Sequence, residues 1–374
     1  MVPPRAEVVV DLDAIRHNVE LLVASAPGAQ TMAVVKADGY GHGALDVART
    51  ALAAGATWLG VCTLEEALEL REAGITAPVL SWLHVPDEDF APAIAAGVDL
   101  SVSSRRGLDG VLAAVRAGQR PARVHLKVDT GLSRGGAQPA DWVELVEQAA
   151  KAATRGEIEV VSVWSHLAHA DAPEHPVIDI QADRLAAAYR QVVAFGLRPL
   201  RHLANSAAAL TRPDLHFDLI RPGVAVYGLS PVPERGGFGL RPAMTFRSRV
   251  MLVKRVPAGE GVSYGHTWTT ARPATLAVVP VGYADGVPRA LSGRLDVLLG
   301  GRRRPVVGRV CMDQIVVDCG DEPVTEGDEV VLFGPGDRGE PTAQDWADAL
   351  GTIHYEVVTG MVRPRVVRTF KGAA

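Results

Sequence analysis

Cysteine is scarce in this 374-residue chain. Cys62, Cys311 and Cys319 make an odd number, and their spacing suits neither a disulfide framework nor a zinc site, so a reducing cytoplasm is the expected setting. Long apolar runs are also missing. None approaches the roughly 20 residues a membrane span needs, and Met1-Val2-Pro3-Pro4-Arg5 lacks the apolar core of a secretory signal, so neither insertion nor export is expected. Neither sign of charge dominates: 38 Lys and Arg against 43 Asp and Glu leave a net charge of −5. Without a basic field the chain has no electrostatic means of holding phosphate backbones or anionic lipid, which argues against nucleic acid and membrane partners. What is plentiful is hydrophobic residues, 48% against 22% charged, the balance of a globular protein with a large core, and the length suits two folding units.

From residue 30 to about 225, short β-branched runs alternate with Ala/Leu/Glu-rich stretches of helical period. The runs are Met32–Lys36, Trp58–Thr63, Pro78–Leu83, Leu100–Ser103, Ala122–Asp129, Glu159–His166, Pro199–Asn205 and Phe217–Arg221. Eight of them, with amphipathic stretches such as Leu64–Ala73 and Trp142–Thr154 between, predict an α/β fold built as a (β/α)8 barrel. Beyond the Gly/Pro-rich stretch Pro231–Pro242 the pattern changes to short strands separated by turns, which predicts a second, mostly-β domain. Its expected strands are Phe246–Arg255, Ala274–Val281, Leu295–Leu298, Val306–Cys311, Ile315–Asp318 and Glu329–Phe333, then a helix Thr342–Gly351 and a closing strand Val362–Thr369. Arg302-Arg303-Arg304 reads as a solvated hairpin tip.

Function in such a barrel sits at the C-terminal ends of the strands. Here those ends carry Lys36, Lys127 with Asp129, Ser165-His166, Asn205-Ser206 and Arg221-Pro222-Gly223. Any one of them fits a helix cap or a turn; five together point to chemistry. A lysine closing a buried strand is costly as an ammonium, and the neutral amine is the form that condenses with a carbonyl group. Gly39-Tyr40-Gly41-His42-Gly43-Ala44 also fits a loose dinucleotide fingerprint, with Glu65 and Glu66 after the next strand, which would suggest an NAD-dependent oxidoreductase. A lysine ahead of the first glycine has no role in that turn, and Ser206, Gly223 and Val224 mark a phosphate site far downstream, so the fingerprint is set aside. His166, His169, Asp171 and His175 resemble a loose metal cluster but lack ligand spacing, and no metal is expected. Cys311 reads as a small buried hydrophobe at a strand end.

Several ordered motifs resemble one family, the pyridoxal-phosphate-dependent alanine racemases. They are Val35-Lys36-Ala37-Asp38-Gly39-Tyr40-Gly41-His42-Gly43, Lys127-Val128-Asp129-Thr130-Gly131, His202-Leu203-Ala204-Asn205-Ser206, Arg221-Pro222-Gly223, Ser263-Tyr264-Gly265 and Gly308-Arg309-Val310-Cys311-Met312-Asp313. The resemblance covers essentially the whole chain. It implies a barrel over residues 11–238 and a β domain over 239–374 joined by residues 1–10. It implies that Lys36 holds pyridoxal 5'-phosphate as an internal aldimine and that Tyr264 from the partner of a homodimer is the second base. Arg221 would face the pyridine nitrogen, with His166 and Asn205 beside the cofactor. Tyr40, Ser206, Gly223, Val224 and Tyr355 would bind the phosphate, while Arg134 and the backbone of Met312 would take the substrate carboxylate. Lys127 resembles the family's carbamylated lysine.

Racemisation needs one group to remove the α-proton and another to return one on the opposite face, a division that suits Lys36 and Tyr264. The implied activity is interconversion of L- and D-alanine for peptidoglycan precursors. A racemase of the same fold acting on serine or a basic amino acid is the nearest alternative. A small cofactor-carrier protein sharing the barrel would lack residues 240–374 and Tyr264.

Overall fold

The computed structural model describes residues 4–118 and 120–372. Two compact units emerge: one runs from Ile15 to Leu240 except for Tyr40–His42, and the other joins that short segment and residues 4–14 to residues 241–372.

Strand β1 (Ala6–Asp11) belongs to the second unit. The first unit is built on β2 (Gln30–Val34), β3 (Trp58–Val61), β4 (Val79–Ser81), β5 (Asp99–Val102), β6 (Ala122–Lys127), β7 (Ile158–Trp164), β8 (Leu200–His202) and β9 (Leu219–Ile220). Their order is β8-β7-β6-β5-β4-β3-β2-β9, every pairing parallel. Asp218 and Arg221 donate from their backbones to the carbonyls of Arg201 (3.1 Å) and Ala204 (2.9 Å), which brings β9 back beside β8 and makes the barrel nearly closed. Helices cover the outside, so both faces of the sheet are buried and the strands read as continuous apolar runs. Inside, Met32, Trp58, Leu80, Val161 and Leu219 pack with Trp82 and Leu200. Gly60 makes room for them: a Cβ there would lie 2.7 Å from the Trp82 ring and 2.9 Å from the Met32 sulfur. Helix Arg105–Arg116 shows the outer layer's logic, since the Ser104 hydroxyl caps its start at Gly107 N–H and Leu108, Val111, Leu112 and Val115 line the buried stripe.

The apolar runs overshoot the ladders at their C-terminal ends: Lys36, Thr63, Leu83, Asp129, His166 and Asn205 all lie past the last paired residue. Asp129 there is buried and Lys36, Thr63, His166 and Asn205 are half-buried, whereas Leu83 is exposed, so apolar character alone does not mark where pairing stops. The N-terminal helix Leu12–Ser25 and the helix His354–Thr359 are additions to the expected elements.

In the second unit β10 (Met244–Arg249), β11 (Leu252–Val256), β12 (Gly261–Val262), β13 (Trp268–Thr269), β14 (Ala274–Val279), β15 (Asp296–Leu299), β16 (Arg302–Val307), β17 (Ile315–Gly320), β18 (Glu329–Phe333) and β19 (Val367–Lys371) follow. Nine strands form one sheet, β11-β14-β17-β16-β15-β18-β10-β1-β19, in which β1 lies antiparallel to β10 and parallel to β19. Phe246, Phe333 and Trp346 anchor its core, the last two edge-to-face at 5.0 Å. Helix Ala343–Leu350, the expected one, carries a capping box, Thr342 with Asp345, and a left-handed Gly351 at its end.

Three expectations change here. The run Phe246–Arg255 breaks in two at Val250-Met251. Arg302–Arg304 is not a hairpin tip: Gly300-Gly301 make the turn, and Arg304 is buried, donating to the carbonyls of Leu299 (2.9 Å) and Cys319 (3.0 Å) and to Glu322 (3.2 Å). Cys311 lies outside any strand, half-buried, its sulfur 3.2 Å from the Ser263 hydroxyl. No helix among the described residues is long and apolar enough to cross a membrane.

Candidate active site

Lys36 does not close a strand. It stands two residues past β2, half-buried, and opens a left-handed turn: Ala37 (φ 53°), Asp38 (51°), Gly39 (61°) and Tyr40 (52°) follow one another in the αL region. Each non-glycine residue there costs about 1–2 kcal/mol, so the turn persists only because its surroundings over-determine it. The Gly39 N–H bonds Val35 O (2.9 Å), the Gly43 N–H bonds Asp38 O (2.8 Å), and the Asp38 carboxylate accepts from Ala44 N–H (3.0 Å). Glu66 is the outside staple. One of its oxygens accepts from Ala37 N–H and the other from Cys62 N–H, both at 2.7 Å, while the same side chain completes a capping box with Thr63. Glu66, which the dinucleotide fingerprint would make a ribose ligand, holds the lysine's turn instead.

Lys127 ends β6, buried, its ammonium 4.4 Å above the Trp164 ring. Burial, with the charges of Arg221 and Arg134, brings it down to about 8. Asp129 shapes the following loop by accepting the N–H groups of Gly131 (2.9 Å), Leu132 and Ser133 (both 3.1 Å), with Gln138 on its second oxygen (2.9 Å). Burial pushes the Asp129 carboxyl up, but these donors hold it net below its ordinary range. The small residues after Arg134 have a reason: at Gly136 (φ 123°) a Cβ would fall 2.6 Å from the backbone at Val128 and Asp129, where Ala137 bridges back to Val128.

Arg221 is 4% exposed. Its Nη1 donates to His202 Nδ1 (3.0 Å), and Nη2 donates to Ser165 O (2.9 Å), Leu203 O (3.2 Å) and His166 Nδ1 (3.3 Å). The guanidinium lies 4.8 Å over Trp164, and burial lowers it to about 9, still protonated at neutral pH. His166 is held well below the usual imidazole range by desolvation and by the nearby charges of Arg221, Arg134, Lys127 and Lys36. That neutral ring among four cations is the electrostatic centre of the site. His169 and His175 stack on each other at 3.9 Å, and among the described residues no three His, Cys, Asp or Glu side chains come together as metal ligands.

A polar notch follows β8 and β9. Asn205 caps the helix Ser206–Thr211, and the buried Ser206 hydroxyl accepts from Gly223 N–H (2.8 Å) and Ala225 N–H (3.3 Å). Val224 N–H, between them, opens a 3-10 turn and has no hydrogen-bond partner among the described residues.

In the other unit Tyr264 is 72% exposed on a turn whose neighbours Ser263 (φ 62°) and Gly265 (φ 72°) are left-handed, pinned by Ser263 donating to Arg309 O (2.8 Å). Met312 is exposed, its carbonyl taken by Ala284 N–H (3.0 Å). The rings of Tyr40 and Tyr355 lie 6.3 Å apart.

Composition carries no sign of a buried set behind Arg221: His202, Ser162, His125 and Asp99. They were discoverable only as inward-facing polar positions on the barrel strands.

A nearly closed parallel barrel with an amine, a fixed guanidinium and an orphan N–H donor at its C-terminal end is the architecture of a (β/α)8 enzyme. The family model "Alanine racemase, N-terminal domain" matches residues 10–231 and "Alanine racemase, C-terminal domain" residues 243–370. The chain belongs to the alanine racemase family, a family of isomerases. It is 60% identical over 369 residues to an alanine racemase of Salinispora arenicola, covering 98% of this chain and 99% of that protein. It is 58% identical over 371 residues to that of Mycobacterium avium, covering 98% and 95%. Among solved structures, the alanine racemase of D-cycloserine-producing Streptomyces lavendulae is 52% identical with a TM-score of 0.97, covering 100% of this chain and 99% of that one. The Bacillus anthracis enzyme with bound L-Ala-P is 36% identical with a TM-score of 0.91, covering 100% and 96%.

Proposed function

We propose that the protein interconverts L- and D-alanine with pyridoxal 5'-phosphate bound through Lys36. The observation that carries this reading is the arrangement around His166: an amine, two arginines and a second lysine converge where Ser206, Gly223 and Val224 also offer an anion notch. These residues fit the cofactor. The orphan Val224 N–H and the Ser206 hydroxyl suit its phosphate, Asn205 orders the helix beside it, and Arg221 Nε, which has no hydrogen-bond partner among the described residues, suits a ring nitrogen.

When bound, the cofactor makes the α-proton of the amino acid acidic by delocalising the charge left behind. Lys36 Nζ removes or returns that proton on one face, and Tyr264 Oη, supplied by a second copy of the chain, acts on the other. Arg221 donates a hydrogen bond to the ring without readily surrendering a proton, which favours return of the proton at Cα over transfer elsewhere. Arg134 and the Met312 backbone hold the substrate carboxylate, and Tyr40 and Tyr355 add hydroxyls for the phosphate. Lys127, lowered to about 8, has an accessible neutral amine that can take up carbon dioxide as a carbamate, whose negative charge would then brace Arg134. The product D-alanine would feed peptidoglycan synthesis in the cytoplasm.

The test is a chiral assay of a panel of L-amino acids with the purified protein, alongside its visible absorption. Racemisation of alanine with a borohydride-bleachable band supports the reading. Preference for serine or a basic amino acid would redirect it, and absence of both band and racemisation would end it.

A further inference from the structure

Behind Arg221, on the inner side of the barrel, a file of buried polar groups runs from strand to strand. Arg221 Nη1 donates to His202 Nδ1 (3.0 Å). His202 Nε2 meets Ser162 Oγ (2.7 Å) and His125 Nδ1 (3.2 Å), and Ser162 Oγ also meets His125 Nδ1 (2.6 Å). His125 Nε2 reaches Asp99 Oδ2 (3.0 Å), whose other oxygen accepts from Arg123 Nε (2.9 Å). His202, His125 and Ser162 are fully buried and Asp99 is 1% exposed. Trp164 stacks on His202 and Trp58 sits edge-on to His125, so neither ring is free to turn.

The two ends of the file leave one consistent arrangement of protons. A guanidinium can only donate, so His202 Nδ1 must be bare and its proton must sit on Nε2. A carboxylate can only accept, so His125 carries its proton on Nε2 and presents a bare Nδ1 inward. Between them the Ser162 hydroxyl accepts from His202 and donates to His125. Every N–H and O–H then meets a lone pair, and all of them point from Arg221 toward Asp99.

We propose that Asp99 is a positioning residue for Arg221: through His125, Ser162 and His202, its carboxylate fixes the tautomers of two buried imidazoles so that a lone pair always faces the guanidinium. Arg221 has no carboxylate partner within hydrogen-bond reach among the described residues; the negative charge is three side chains away, and the file transmits its preference as orientation. The consequence for turnover rests on the role proposed above for Arg221, whereas the tautomers do not.

Asp99→Asn reverses the file for a definite reason. Arg123 still requires an acceptor, so the amide oxygen turns to Arg123 and the NH2 group faces His125 Nε2. His125 must then carry its proton on Nδ1, His202 likewise, and an N–H is driven against the guanidinium N–H of Arg221.

The experiment uses the cofactor-loaded protein labelled with 15N at histidine. Long-range 1H–15N correlation spectra report which ring nitrogen carries the proton. In the unaltered protein both His125 and His202 are expected as Nε2–H; Nδ1–H at either overturns the proposal without any variant. In Asp99→Asn both are expected as Nδ1–H, with kcat lowered about ten-fold or more, KM within two-fold and the visible band shifted, as loss of a charge-assisted hydrogen bond at Arg221 implies. Unchanged tautomers in the variant would overturn the proposal. Reversed tautomers with unchanged turnover and spectrum would overturn the positioning role while leaving the racemase reading intact.

Discussion

The two units present their candidate chemistry in opposite ways. In the barrel Arg221 is 4% exposed and held by five hydrogen-bond acceptors or rings, Lys127 is pinned over Trp164, and Lys36 rides a turn that Glu66 staples. In the β unit Tyr264 stands 72% exposed on a strained turn and Met312 is 52% exposed. Buried groups are preorganised by their own neighbours, which is what electrostatic catalysis requires. Exposed groups on a stiff turn are fixed in direction yet lack a surface to act against. The contrast is what a site completed by a second copy would produce, and the ways of breaking it differ for each half.

The largest effect is expected in the barrel. On the roles proposed above, Lys36→Ala would remove both the anchoring amine and one of the two proton-transfer groups, so racemisation should fall by at least about 10³-fold, together with the borohydride-sensitive band. Retained activity with an unchanged spectrum would show that the amine lies elsewhere.

On the β side, Tyr264→Phe leaves the turn intact and removes only a hydroxyl, and racemisation should drop by about 10²–10⁴-fold in both directions. Lys36 would still exchange the α-proton of one enantiomer, so deuterium uptake should become one-sided. If the two units of different copies share a site, mixing Lys36→Ala with Tyr264→Phe should rebuild some active sites in hybrid dimers. No recovered activity after proven subunit exchange would mean that each copy is self-sufficient.

Much of this was open to reading from the sequence, and the reasons for the rest are physical. The eight runs and their polar ends were visible because a parallel strand buried on both faces needs an unbroken apolar stretch, and the barrel places function where that stretch stops. The left-handed turn after Lys36 was not, since Ala37 and Tyr40 have no propensity for positive φ and Asp38 alone hardly announces one; local bonds with Val35 and Ala44 and the distant staple of Glu66 impose it. Arg304 looked like surface charge because its run of arginines hides which one the strand turns inward. Asp99, His125, Ser162 and His202 looked like ordinary polar interruptions, because contacts between strands far apart in sequence leave no local period.

Glu66 sharpens the comparison from the structural side. Glu66→Gln keeps the size of the side chain but replaces one of two accepting oxygens by an NH2 group, so either Ala37 or Cys62 N–H loses its partner. Ala37 is exposed, so its N–H can turn to water, while the half-buried Cys62 N–H left unpaired costs about 1–3 kcal/mol, and either loss loosens a turn already under backbone strain. Thermal unfolding should begin lower by several degrees and kcat should fall about ten-fold, with faster hydrogen exchange at the Ala37 amide. A variant matching the original in all three would mean that the turn holds without its staple.

The smallest effect is a pH dependence that belongs to the barrel alone. His202 is fully enclosed, and desolvation together with the charge of Arg221 holds it well below the ordinary imidazole range. The folded state therefore refuses a proton that the unfolded chain takes up below about 6.5, so the stability this neutral ring represents is fully present above that pH and is lost as pH falls through it. Between pH 7 and pH 6 the loss is about 0.7 kcal/mol for this one group, since the unfolded histidine passes from mostly neutral to mostly charged while the folded one stays neutral. His84 and His166, also held low chiefly by burial, titrate in the same window and add to the total dependence, whereas the carboxylates held low, Glu7, Asp99, Asp129 and Asp214, act in the same direction only at more acid pH. Denaturant unfolding at pH 7 and pH 6, compared with His202→Gln, isolates the contribution: the variant should be less stable throughout yet show the shallower dependence on pH. An equal slope in both proteins would mean that His202 titrates alike in the folded and unfolded states, and the neutral acceptor facing Arg221 would then be lost on mild acidification.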